Sequence, residues 1–153
     1  MKGYTSETIR NVALVGHGGC GKTTFLESAL LATGVIDRLG KVEDGNTVSD
    51  YDKMEIEKGF SINTSIVPVE WKDSKINFID TPGYFDFIGE VNAALRASEA
   101  AVILVDAGHG GVDSGMVGIG GLKEKGINLD IAMKLKTILE KKGLAVVMTR
   151  EVD

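Results

Sequence analysis

A chain of 153 residues, 43% hydrophobic and 25% charged with mean hydropathy +0.07, has the length and composition of one folded domain, which excludes disordered and collagen-like classes. Its net charge of −5 offers no basic field to phosphate backbones, so direct nucleic-acid binding is not expected. The apolar run Ala100 to Val105 falls far short of the ~18 residues of a membrane span, and no signal-peptide core follows Met1; a cytoplasmic protein without membrane contact is expected.

Asn11 to Val15 is a short apolar run ending at Gly16, the pattern of a strand buried on both faces. A glycine-rich turn from Gly16 to Gly21 follows and holds the single cysteine, Cys20, which can form no internal disulfide. From Lys22 the spacing of Leu26, Ala29 and Leu30 predicts a helix that Gly34 can end. Residues 37–63 are charged and lack a sustained apolar period, and loops of that length in a small domain are usually functional or mobile. Residues 65–71 and 75–80 flank Lys72-Asp73-Ser74 and read as a β-hairpin; Pro68, with no N–H to donate, puts the first of them at a sheet edge.

Tyr84, Ile88, Val91 and Leu95 form a helical stripe, and Ala101 to Val105 reads as the next strand. The texture changes after Asp106: seven of the residues from Gly108 to Gly121 are glycine. Charge shifts too, from 10 Lys/Arg against 16 Asp/Glu in residues 1–106 to 7 against 6 in residues 107–153. From Asn128 a helix is predicted with Ile131, Leu135 and Ile138 on one face, ending at Lys141-Lys142-Gly143, and Leu144 to Met148 is the last strand. The order β, α, β, β, α, β, α, β calls for a mainly parallel sheet with helices on both faces, in one α/β domain spanning residues 1–153.

Gly16-His17-Gly18-Gly19-Cys20-Gly21-Lys22-Thr23 fits G-x-x-x-x-G-K-[ST] and lies between a predicted strand and a predicted helix, the context that gives the pattern meaning. Its backbone N–H groups would converge on an anion at a helix N-terminus. Lys22 would reach the outer phosphates, Thr23 would place its hydroxyl on Mg2+, and Thr24 completes the nucleotide-binding run. Asp80-Thr-Pro-Gly83 closes the hairpin's second strand; Asp80 is placed to hold Mg2+ through water, and the Gly83 N–H to meet a γ-phosphate.

With these motifs, residues 1–106 resemble the first part of the GTPase domain of translation elongation factor G. The stretch Asp52-Lys-Met-Glu55-Ile-Glu-Lys-Gly59-Phe-Ser61-Ile is similar to the end of that family's first switch segment. The resemblance implies a three-layer P-loop sandwich of five strands in order 2-3-1-4-5, strand 2 antiparallel at an edge. It also implies guanine nucleotide as ligand, Mg2+ as cofactor held by Thr23, Ser61 and Asp80, and order in residues 37–63 only when a γ-phosphate is bound. Gly19 stands where the family carries an aspartate. Tyr84 stands where it carries the water-orienting histidine, so Lys22 and Tyr84 are the catalytic candidates, and hydrolysis is expected to be slow or absent. No Asn-Lys-x-Asp segment follows to read guanine, and no ribosome contact is expected of this fragment.

Residues 106–153, beginning Asp106-Ala-Gly-His109-Gly-Gly-Val-Asp-Ser-Gly, resemble the opening of zinc-dependent N-acetylmuramoyl-L-alanine amidases. That resemblance matches His109 and Glu124 to two zinc ligands, but a catalytic zinc site takes three protein ligands, so zinc is not expected. Together the two resemblances describe an engineered or recombined chimera joined near Asp106. The leading expectation is Mg2+-dependent binding of GTP or GDP with weakened guanine selectivity. Its rivals are an amidase fragment and a chain that folds without any selected activity.

Overall fold

A computed structural model describes residues 3–153. The five strands are β1 (Ile9–Val15), β2 (Ser65–Trp71), β3 (Ser74–Asp80), β4 (Ala100–Val105) and β5 (Ala145–Met148), in sheet order β2-β3-β1-β4-β5. The helices are α1 (Lys22–Ala32), α2 (Lys53–Lys58), α3 (Ile88–Arg96) and α4 (Glu124–Lys141). β1 runs parallel to β3 and β4, β4 runs parallel to β5, and only β2 is antiparallel, as a hairpin with β3. The expected topology is therefore the observed one. In the edge strand β2, buried Ser65, Val67 and Val69 alternate with exposed residues, among them Pro68.

Neighbouring residues of β1 face opposite layers. Leu14 packs with Leu26 and Leu30 of α1, with Val67, Val69 and Leu104, and with Phe25 and Phe78 at the margin. Ala13 packs on the other side with Ile79 and Ala94 of α3. The α1 layer is thus built mostly from large side chains, and the α3 layer mostly from alanines around Ile79.

The apolar stripes expected on the later helices are not core. Ile131, Leu135 and Ile138 are 60%, 42% and 54% exposed, and Ile88 and Leu95 also face outward. Periodicity reports that a helix has an apolar face without reporting how closely the sheet approaches it. Here the fully buried contacts are Ala94 in α3 and Ala132 and Lys125 in α4. Lys125 donates to the Gly111 carbonyl at 2.7 Å and pairs with Asp153 at 2.6 Å. α4 also begins at Glu124, four residues before the expected start, and its first turn carries Glu124 where the helix dipole favours an acid.

Stability should follow this asymmetry. Leu26→Ala or Leu30→Ala is expected to cost ~2–5 kcal/mol. Ile138→Ala, on an exposed face, is expected to cost less than ~1 kcal/mol. Denaturant unfolding of the three variants checks this, and a loss at Ile138 equal to that at Leu30 would contradict it.

Candidate functional site

The turn from β1 into α1 is shaped by close approach. Gly16 has φ +155°, and a Cβ there would lie 2.6 Å from both the Cys20 Sγ and the Leu104 carbonyl oxygen. Gly21, at φ +89°, brings the chain into α1. The N-terminus of α1 has neither a side-chain cap nor an acidic residue in its first turn, so its N–H groups and dipole are left to an anion. Lys22 is buried against the turn and donates to the carbonyls of Gly16 and His17, both at 2.9 Å. Cys20 is buried under the same turn, and loss of solvent pushes its thiol pKa up, the wrong direction for a nucleophile.

Asp80 ends β3 opposite Leu14 and is almost wholly buried. Its Oδ2 accepts from the Thr23 hydroxyl at 3.0 Å and from the Ser49 hydroxyl at 2.9 Å, while its Oδ1 is buried without a partner. Burial raises the Asp80 pKa from 3.8 to about 6, the two hydroxyls pulling the other way and the nearby Asp50 carboxylate adding to the rise. Ser61 donates to Asp50 Oδ1 at 2.7 Å rather than to Asp80. Burial raises Asp50 as well. An unpaired carboxylate oxygen, a second buried carboxylate and three hydroxyls form a hard-oxygen donor set of the kind Mg2+ takes. Thr23 and Asp80 would hold that ion, with Ser61 close by through Asp50.

A cleft of about 210 Å³ opens over these groups, lined by Gly18, Gly19, Gly21, Lys22, Thr23 and Thr24 from the turn and α1, and by Ser61, Gly83 and Tyr84 from the facing loops. Gly83 presents its carbonyl here, accepting from the Gly18 N–H at 2.9 Å, and a Cβ at Gly83 would collide with the Gly18 nitrogen and the Lys22 ammonium. The Tyr84 ring lies over Gly18, where a Cβ would meet it at 2.9 Å, and packs on Phe60 with ring centroids 4.7 Å apart. Gly16, His17 and Cys20 line a different hollow of about 420 Å³, with Ile103 to Asp106 and Leu135, on the other flank of the turn.

Sequence reading missed Ser49, Asp50 and Phe60, and it left residues 37–63 without structure. The structure gives this stretch α2, closed by a capping box between Asp52 and Glu55, a pattern present in the sequence as Asp-x-x-Glu. Buried Glu55 also accepts from the N–H groups of Ile62 and Asn63, both at 2.9 Å, and Glu90 accepts from the Thr64 N–H at 3.0 Å. These contacts are polar, so an apolar period could not reveal them.

His109 and Glu124 lie in the glycine-rich loop and at the start of α4, away from the cleft. His109 Nδ1 meets Asp113 Oδ2 at 2.8 Å, and its Nε2 stands 3.6 Å from Glu124 Oε2, which also accepts the Met116 N–H. The hydrogen bond to Asp113 raises the His109 pKa. Among the described residues no group of three or more His, Cys, Asp or Glu side chains converges on a metal position. No described helix is long and apolar enough to cross a membrane.

A 2-3-1-4-5 sheet with a glycine-rich turn from the first strand into the first helix is a P-loop nucleotide-binding fold. The chain belongs to the family of the elongation factor Tu GTP binding domain, whose family model matches residues 7–139. It is 47% identical over 100 residues to elongation factor G of Granulibacter bethesdensis, covering 65% of this chain and 14% of that protein. It is 43% identical over 102 residues to an elongation factor G-like protein of Mycobacterium tuberculosis, covering 67% of this chain and 14% of that protein. The chain thus spans about a seventh of the length of these relatives. A crystal structure of a Thermus thermophilus protein superposes with TM-score 0.66 at 34% identity, over 92% of this chain and 19% of that one. A bacterial selenocysteine-specific elongation factor shares the fold at 20% identity and TM-score 0.57, over 91% of this chain and 25% of that one.

The raised Asp80 pKa has a definite consequence for stability. The folded state holds this proton more tightly than the unfolded chain, so stability from Asp80 falls as pH rises from 3.8 to about 6 and stays lower above that. Without nucleotide or metal, the parent should lose stability relative to Asp80→Asn across this window. Parallel pH curves for the two proteins in urea unfolding would contradict the assignment.

Proposed function

We propose that this domain binds a Mg2+-complexed guanine nucleotide in the cytoplasm, with weak discrimination of the base and slow or absent hydrolysis. The observation that carries the reading is the convergence of the bare α1 N-terminus, Lys22 and Thr23 on one cleft, with the half-satisfied, buried Asp80 accepting from the Thr23 hydroxyl. Gly18, Gly19, Gly21 and Thr24 would cradle the phosphates beside Lys22. Thr23 and Asp80 would hold the ion, with Ser61 on the γ-phosphate side and Gly83 facing the terminal phosphate. Mg2+ would supply charge neutralisation of the phosphates.

Weak hydrolysis follows from Tyr84, whose phenol is a poor proton acceptor or donor partner near neutral pH. Its ring screens the cleft without supplying the imidazole of the resembled family. Weak base selection follows from the end of β5. Arg150 donates to the carbonyls of Gly108 and Lys125, Glu151 pairs with Lys136, and Thr149 donates to Asp106, so these polar groups already have partners within the chain. We read residues 107–153 as a graft that completes the single domain, against a family match that itself continues past Asp106 to residue 139. In that reading the His109 and Glu124 pair is a remnant without zinc chemistry.

Lys22→Ala should abolish triphosphate binding and leave the fold intact, because Lys22 serves the turn and not the apolar core. Equal affinity of parent and variant for GTP in calorimetry would overturn the assignment. In competition against one labelled nucleotide, GTP and ATP should differ by less than about tenfold, or ~1.4 kcal/mol. A preference for GTP above about a hundredfold, ~2.7 kcal/mol, would reveal a guanine pocket and refute the weak-selection reading.

A further inference from the structure

Glu27, the one carboxylate of α1, is 1% exposed, and no Lys, Arg or His side chain among the described residues forms an ion pair with it. Both of its oxygens accept from the backbone of the loop over the cleft. Oε2 takes the Gly40 N–H at 2.8 Å, and Oε1 takes the Val48 N–H at 2.6 Å. Charge-assisted bonds of this kind are the strong ones, and here they substitute for the lost hydration of a buried anion. Gly40 is glycine through crowding: a Cβ would lie 2.6 Å from Glu27 Oε2 and 2.7 Å from the Asn46 carbonyl oxygen.

Two fixed points define a strap from Gly40 to Val48. Val42 and Glu43, inside it, line the cleft, and the residue after it, Ser49, donates to Asp80. Asp50 follows and holds Ser61. On the helix, Glu27 stands four residues after Thr23, on the same face, so a rigid turn of α1 separates the ion-binding hydroxyl from the anchor of the strap. Displacement at Gly40 or Val48 must therefore change how Ser49, Asp50 and Ser61 stand relative to Thr23 and Asp80.

We propose that Glu27 is a positioning residue: its carboxylate latches the strap to α1 and so presets the Mg2+ and γ-phosphate end of the cleft, without itself touching nucleotide. The ligand arm of this proposal rests on the nucleotide reading above. Glu27→Gln keeps the side-chain volume but offers one acceptor where two are needed, and it turns an amide donor toward a backbone donor. Gly40→Ala disturbs the same latch from the strap side and leaves every α1 residue in place.

The test compares the parent chain with Glu27→Gln and Gly40→Ala in two measurements. Amide hydrogen exchange on the nucleotide-free proteins should show protection at Gly40 and Val48 falling by about tenfold or more, while Leu14 and Leu104 in the core change less than about twofold. Affinity for Mg2+-GTP should fall about tenfold, while affinity for GDP without metal changes less than about twofold. Unchanged protection at Gly40 and Val48 would overturn the latch. Equal loss for both nucleotides, or loss of core protection in both variants, would show a general structural role instead and equally overturn it. If Glu27→Gln fails to fold, Gly40→Ala decides the matter by the same criteria. Failure of the parent to bind any nucleotide overturns the proposed function alone, and the exchange data then decide the latch.

Discussion

Asp80 stands at the end of β3, in register with Leu14 of β1, and shares one oxygen between Thr23 of α1 and Ser49 of the loop over the cleft. Three segments distant in sequence thus meet on a single buried carboxylate whose other oxygen has no partner. Leaving such a group half-satisfied is costly, because the low-polarity surroundings that strengthen its hydrogen bonds also penalise its unpaired charge. In the proposed reading this arrangement is the protein's half of a cation site. The sheet brings Asp80 beside the P-loop, and in the same reading the bare α1 N-terminus and Lys22 would take the anion.

What could be read in the sequence was whatever depends on local pattern. The glycine-lysine-threonine turn, the Asp-Thr-Pro-Gly turn, the hairpin with Pro68 and the strand order all rest on spacing and turn chemistry that few folds satisfy together. Ser49, Asp50 and Glu27 carry no such pattern, because Ser49 donates to Asp80, Asp50 accepts from Ser61 and Glu27 accepts from two backbone N–H groups, all across separations of 11 to 31 positions. α2 was half legible: its capping box was written as Asp52-x-x-Glu55, but six residues are too few for an apolar period. On α4 the periodicity was real and the inference from it failed, because Ala132, and not the isoleucine stripe, meets the rest of the protein closely.

The two ends of the molecule are organised by different physics. Residues before Asp106 bury carboxylates against backbone N–H groups and hydroxyls around the cleft, so the polar network and the site are one structure. Residues after it use ion pairs whose carboxylates are exposed, Lys136 with Glu151 and His109 with Asp113 beside the buried Lys125 with Asp153, and solvated pairs contribute little to stability. The cleft therefore draws its walls from the glycine-rich turn, α1, the strap, Gly59 to Ser61 and the Gly83 turn, whereas β5 extends the sheet and α4 packs against it.

A titration of the whole chain with Mg2+-GTP, followed by backbone amide shifts at single-residue resolution, tests this division most directly. Saturable shifts should appear at Gly18 to Thr24, at Ser49, Asp50 and Ser61, and at Asp80 to Tyr84, with those at Ser49 and Asp80 lost when Mg2+ is removed. Residues 107–153 should stay nearly unchanged. Shifts confined to residues 107–153, or none at the P-loop at millimolar nucleotide, would contradict the central claim that Asp80 and the P-loop form one ion-assisted phosphate site.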